Sequence, residues 1–122
     1  MAIVLRLEKR KLPKKVKEIF EKAENNQSEI IVPAMVFAEI AYLSEKNRIE
    51  TNLEEVKSYL KNHTHIHESA LTLENVISAF VIDDIPELHD RLIAAVALQL
   101  SIKIITNDPD IQKSSYVKSI WK

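Results

Sequence analysis

The sequence predicts an α/β protein, a sandwich of helices around a mostly parallel sheet. Short apolar runs at 29–32 and 102–106 alternate with longer stretches whose apolar residues recur at helical spacing. Residues 87–100 are apolar nearly all round after their first turn, as in a helix packed on several sides. The chain has 122 residues, 46% hydrophobic and 29% charged, which is the length and mixture of one ordinary soluble domain spanning 1–122.

The elements follow in order. Residues 3–7 read as a short strand. Leu12-Pro13-Lys14 opens a helix to about Asn25, with Val16, Ile19, Phe20 and Ala23 on one face. A turn at 25–28 leads to a wholly buried strand at 29–32 that stops at Pro33, and a helix covers 34–47. Thr51-Asn52-Leu53-Glu54 has a capping-box pattern ahead of a helix carrying Leu53, Val56, Tyr59 and Leu60. A strand is expected within 63–71. Thr72 starts a helix with Val76, Ile77, Ala79 and Phe80 apolar, broken at Asp83-Asp84-Ile85-Pro86. After the helix at 87–100 come a strand at 102–106, a loop with a short helical turn at 107–113, and a last strand at 116–121.

Composition removes several function classes. There is no cysteine, so disulfides, thiol catalysis and Cys-based zinc or iron–sulfur sites are excluded, and a reducing cytoplasm is the expected location. There is no glycine, which removes the glycine-rich phosphate cradles of P-loop NTPases, kinases and dinucleotide enzymes. The apolar run at the front is too short for a signal peptide, and the uncharged apolar stretch 92–102 is far below a membrane span, so no membrane partner is expected.

Charge is unevenly placed although the net charge is only −1. Eight of the 17 basic residues lie in the first 22 positions, and all five aspartates lie between Asp83 and Asp110. The basic front is suited to RNA phosphates, but Glu8, Glu18 and Glu21 are interleaved, as on a solvated helix face. In parallel α/β sheets ligands bind at the carboxyl ends of strands, so the residues after Val32 and Ile105 matter most. Glu39 has Met35, Val36, Tyr42 and Leu43 as its helical neighbours, an apolar face where a carboxylate needs an ion pair, a hydrogen bond or a metal. Asp90 lies in the first turn of a helix, where free amides and the helix dipole favour a carboxylate whether or not it has a further role. Asp108 follows a strand end; its simplest role is an N-cap ahead of Pro109. Asp110 reads as solvated. Three carboxylates on one rim of a sheet are an oxygen-only ligand set suited to Mg²⁺ or Mn²⁺, ions that activate water and stabilise phosphodiester displacement. His63, His65 and His67 alternate and would share a strand face able to take zinc; an exposed edge strand is the simpler reading.

These residues carry a family resemblance. Ile85-Pro86-Glu87-Leu88-His89-Asp90-Arg91-Leu92-Ile93-Ala94-Ala95, followed by Ile104-Ile105-Thr106-Asn107-Asp108, resembles the second half of a PIN domain, most of all the VapC toxins of toxin–antitoxin pairs. Val32-Pro33-Ala34-Met35-Val36-Phe37-Ala38-Glu39 resembles the family's strand–helix unit, and Val117-Lys118-Ser119-Ile120-Trp121 its C-terminus. The resemblance runs from about Leu12 to Trp121 and implies a three-layer α/β/α sandwich with a shortened N-terminal strand–helix unit. It implies a metal-dependent endoribonuclease in which Glu39, Asp90 and Asp108 hold Mg²⁺ or Mn²⁺. Thr106 or Asn107 would orient the attacking water. Implied partners are an RNA substrate, a cognate antitoxin and a second copy in a homodimer. One departure stands out: the family ends its first strand with an aspartate, and here Arg6 follows Ala2-Ile3-Val4-Leu5, leaving three of four expected carboxylates. An arginine there would replace the metal by an ion pair. Glu8 has the wrong spacing to substitute. That departure motivates an alternative, a catalytically impaired PIN domain that serves as a protein-binding and dimerisation module. A phosphoacceptor receiver domain is a third α/β possibility, but it needs an acidic pair after the first strand and a central aspartate, and neither is found.

Overall fold

The computed structural model describes residues 2–122, which form two compact units: residues 2–69 with Lys122, and Ala70–Trp121. The first unit contains α1 (Ala2–Leu7), α2 (Lys14–Glu24), β1 (Ile30–Pro33), α3 (Ala34–Glu45), α4 (Leu53–Asn62) and β2 (Ile66–Ser69). The second contains α5 (Leu73–Ala79), α6 (Leu88–Leu100), β3 (Ile104–Ile105), α7 (Pro109–Gln112) and β4 (Ser119–Ile120).

Each unit holds one parallel strand pair. β1 pairs with β2, Ile30 facing Ile66 and Pro33 facing Ser69, and α3 and α4 make the crossover. β3 pairs with β4, Ile104 facing Ser119 and Ile105 facing Ile120. Parallel strands cannot be joined by a tight turn, so the helices between them are a requirement of this pairing. The mixed, parallel α/β architecture expected from the sequence is therefore present.

The front of the chain differs from expectation. Residues 2–7 are helical, not a strand. Ile3 and Val4 are buried, and the chain closes with Arg10 N–H donating to the Leu5 carbonyl (2.9 Å) and Lys9 N–H to the Arg6 carbonyl (3.2 Å). That is a Schellman closure, with Lys9 left-handed at φ 56°. An apolar run of five residues has no periodicity long enough to distinguish a strand from one helical turn and a half.

The same closure recurs without any glycine. Asn26 (φ 60°) ends α2, Asn47 (φ 56°) ends α3 and Ser101 (φ 54°) ends α6. In each, the following N–H reaches back five residues: Gln27 to Lys22 (2.8 Å), Arg48 to Leu43 (2.9 Å), Ile102 to Ala97 (3.1 Å). Asparagine tolerates this conformation; lysine and serine occupy it at a steric cost.

Helix starts are capped individually. Asn52 Oδ1 accepts from Glu55 N–H (2.9 Å), so the expected Thr51–Glu54 capping box is displaced by one residue. Thr51 is instead fully buried, and both its hydroxyl (2.7 Å) and its N–H (2.9 Å) donate to Glu8 Oε2. Thr72 caps α5 (3.1 Å to Asn75 N–H) and Glu87 caps α6 (2.9 Å to Asp90 N–H). Pro13 offers α2 no side-chain cap, and the Lys122 carbonyl accepts from Lys15 N–H (2.7 Å) and Val16 N–H (3.4 Å) in its place.

Each unit has its own buried set. In the first it includes Val16, Phe20, Ala23, Val32, Ile40, Val56 and Ile66; in the second Ile82, Ile85, Leu92, the run Ala94–Ala97 along α6, and Ile104. The strand expected to be wholly buried is not: in β1 only Val32 is buried, and Ile30, Ile31 and Pro33 are half-buried. In α3 only Ile40 is buried, although most of its residues are apolar. Among the described residues β1 pairs on one edge only, which leaves less sheet to cover its faces than a central parallel strand has.

Candidate functional site

Glu39 lies on α3, half-buried, one residue before the buried Ile40. It belongs to the first unit; Asp90 and Asp108 belong to the second. Asp90 is half-buried in the first turn of α6, where its N–H donates to the Glu87 carboxylate. Asp108 is the N-cap of α7: its Oδ1 accepts from Asp110 N–H (2.8 Å), and Pro109 occupies the first helical position. Thr106 supports that turn, its hydroxyl accepting from Asp108 N–H (3.1 Å) and its carbonyl from Gln112 Nε2 (3.3 Å). Asn107 is exposed. The structural role read for Asp108 from sequence is thus fulfilled locally, and the side chain is held at the end of β3. Among the described residues no group of three or more His, Asp or Glu side chains gathers closely enough to hold a metal ion.

Arg6 is engaged by a carboxylate of its own unit. Its Nε donates to Glu24 Oε2 (2.9 Å) and a terminal nitrogen to Glu24 Oε1 (2.6 Å), a two-pronged ion pair from α1 to the end of α2. The Tyr59 hydroxyl from α4 donates to the same carboxylate. The Arg6 hydrogen bond holds the Glu24 carboxyl below its ordinary value against the opposing effect of burial, and Arg6 is correspondingly raised. Burial, then the bond to Glu24, pushes the Tyr59 phenol up. Arg6 thus forms an ion pair, and its carboxylate partner Glu24 ties three helices together.

Glu8 also serves structure. Glu50 N–H, Thr51 N–H and the Thr51 hydroxyl all donate to Glu8 Oε2, and the Thr51 hydroxyl bond is the leading cause of its lowered pKa. An open groove beside it is lined by Glu8, Arg10, Ser44, Asn47, Arg48, Ile49 and Glu50, none of them a predicted site residue. The three histidines do not form a strand face. His63 ends α4 and packs on the Tyr59 ring (4.7 Å), His65 Nδ1 lies 3.3 Å from the Ser28 carbonyl, and only His67 falls within β2, exposed.

In the second unit Asp84 is a hub that the sequence did not reveal. Ser115 N–H (2.7 Å) and the Ser114 hydroxyl (2.8 Å) donate to it, the former contributing most to its lowered pKa. Asn75 is buried on α5, and its Nδ2 donates to the Leu92 carbonyl (3.2 Å) of α6. Glu24, Asp84 and Asn75 bond to partners 17 to 35 residues away, and no local pattern marks such residues.

The PIN domain family profile matches residues 2–115. The chain belongs to the PIN domain family. It is also similar to a solved structure described as VapBC2 from Rickettsia felis bound to a DNA fragment from their promoter. There the identity is 18% and the TM-score 0.73 over 99% of this chain and 94% of the other, a likeness of fold that agrees with the α/β PIN sandwich. No curated protein matches the chain. No helix among the described residues is long and apolar enough to cross a membrane.

Proposed function

We propose that the chain is a single PIN domain over 1–122 acting as a VapC-like toxin of a toxin–antitoxin pair. It is a cytoplasmic endoribonuclease that forms a homodimer and binds a cognate antitoxin. The observation that carries this reading is the family match over 2–115, which contains Glu39, Asp90 and Asp108 at the strand–helix and strand-end positions of the resemblance. The structural neighbour, described as VapBC2, supports the antitoxin partnership. On this reading Glu39, Asp90 and Asp108 would be the metal-binding and catalytic residues, Thr106 and Asn107 would be supporting polar groups, and a bound Mg²⁺ or Mn²⁺ would supply water activation. Among the described residues three such ligands do not gather into a complete metal site, so the metal reading rests on the family match.

A specific observation favours a second reading, a PIN scaffold whose work is protein binding. Among the described residues no strand precedes β1, and the segment that resembled the family's first strand is a helix whose arginine is engaged by Glu24. The two readings separate in one experiment: Mn²⁺-dependent cleavage of labelled structured RNA by the purified chain, with Asp90→Asn as control. Cleavage that disappears in Asp90→Asn supports the nuclease. No cleavage, or cleavage that persists in the variant, removes it and leaves partner binding as the function.

A further inference from the structure

The basic front of the chain folds into one exposed patch of the first unit. Arg6 is spent on Glu24, but Lys9, Arg10, Lys11, Lys14, Lys15 and Lys17 are all exposed. They occupy the link from α1 to α2 and the start of α2. The one acid among residues 8–17 is Glu8, and it is already held: Glu50 and Thr51 supply three donors to one of its oxygens, and its side chain is only 12% exposed. Glu18 and Glu21 come later on α2. Local stability does not account for the lysines. Lys14 and Lys15 open α2, no acid stands in its first turn, and Pro13 gives no side-chain cap. Cations at the positive end of a helix dipole weaken the helix. The patch borders the open groove beside Glu8, where Arg10 and Arg48 stand on two different loops. Each follows the left-handed residue that closes a helix, Lys9 after α1 and Asn47 after α3. The Arg10 guanidinium lies 3.6 Å from Glu8, beyond hydrogen-bond reach, and its side chain is 61% exposed. The Ser44 hydroxyl and the Asn47 amide add neutral donors to the same groove.

We infer that this patch and groove hold the sugar–phosphate backbone of an RNA strand, through contacts that include none of Glu39, Asp90 and Asp108; the inference rests on the RNA reading above and assigns where the strand is gripped. Three features select such a polyanion. Six exposed cations within residues 9–17, with the neighbouring acid already bound, match a chain of repeated charges better than a single small anion. Guanidinium forks with hydroxyl and amide donors beside them suit phosphate oxygens. The exposed large apolar side chains of the first unit, Tyr42 and Leu53, lie outside residues 8–17, so the patch carries no such residue to enter a lipid surface. Contacts of this kind fix the position of a strand without reading its bases.

The test is fluorescence anisotropy of a labelled single-stranded RNA with the full chain, in EDTA so that no divalent ion takes part, over about 50 to 200 mM salt. Each phosphate neutralised on a single strand contributes about −0.7 to the slope of log affinity against log salt. Arg10→Gln combined with Arg48→Gln is therefore expected to flatten the slope by about 1.4, which at about 0.1 M salt is a roughly 25-fold loss of affinity. Lys11→Gln combined with Lys14→Gln is expected to do the same. Glu50→Gln, which removes the exposed acid of the groove, is expected to tighten binding severalfold, a gain that damage to the fold does not produce. Lys103→Gln combined with Lys113→Gln, both exposed in the second unit, is the control and is expected to leave the slope unchanged. A parent chain that binds no RNA in EDTA, patch variants that bind as the parent does, or a control that flattens the slope equally overturns this surface. So does tighter binding to a DNA strand of the same sequence, or to phosphatidylserine vesicles, than to the RNA. The nuclease reading is judged separately by Mn²⁺-dependent cleavage: a chain that holds RNA through this patch but does not cut it loses that reading and keeps the surface.

Discussion

The tie between Arg6 and Glu24 gives the sharpest test of the unexpected front of the chain, because the pair forms only if residues 2–7 are helical and docked on α2. Both prongs are charge-assisted hydrogen bonds at 2.9 and 2.6 Å, between side chains 23% and 17% exposed. Hydrogen bonds to charged groups contribute about 1.5–3 kcal/mol each when shielded, and residual solvent access reduces this, so the pair's coupling is about 2 kcal/mol. Removing one partner costs more, about 3 kcal/mol, because the other charge is left partly buried, and in Glu24→Gln the Tyr59 hydroxyl also loses its charged acceptor. For 122 residues one kcal/mol corresponds to about 4 °C, so Glu24→Gln is expected to lower Tm by about 12 °C. The assay is a double-mutant cycle of Arg6→Met and Glu24→Gln by urea denaturation. A coupling below about 0.5 kcal/mol would refute the reasoning, since two charges held at these distances cannot act independently.

Other outcomes follow from the same contacts. The folded Glu24 carboxyl lies below its ordinary 4.5, so its contribution is complete above that pH and is lost as pH falls through the folded value. Stability measured from pH 7 downward should therefore drop in the acid range, and Glu24→Gln should show a shallower drop. Lys9→Gly is expected to stabilise by about 1 kcal/mol, as relief of the left-handed φ outweighs the added chain entropy; Lys9→Val should destabilise, and thermal melts distinguish the two. Asn75→Ala should cost about 2 kcal/mol, because a buried side chain and its bond from α5 to the Leu92 carbonyl are both lost; amide exchange in α5 should accelerate with it.

Much of the architecture was legible because it is written in local pattern. The helices at 14–24, 34–45, 53–62, 73–79 and 88–100 follow apolar spacing and capping residues, and the strands at 30–33 and 104–105 are short apolar runs bounded by turns. Asp108 was readable as an N-cap because Asp-Pro at a helix start is a local signal. The segment 2–7 was not readable, because five apolar residues suit a strand or a helix equally and only docking decides. The histidine face failed for a related reason: alternation implies a shared face only if the backbone is extended throughout, and the strand is confined to Ile66–Ser69.

For the site the division is different. Sequence alone selected Glu39, Asp90 and Asp108, because motif and strand–helix position are properties of the chain. It also set the exclusion of thiol, Cys-metal and glycine-cradle chemistry, since a side chain that is not encoded cannot act. Which polar groups are engaged with which was decided only by tertiary structure. Glu24, Glu8, Asp84 and Asn75 look like ordinary surface residues in the sequence, yet each is bound by groups far along the chain. A carboxylate's chemistry depends on what lies within a few ångströms of it, and that distance is set by folding, not by separation in sequence.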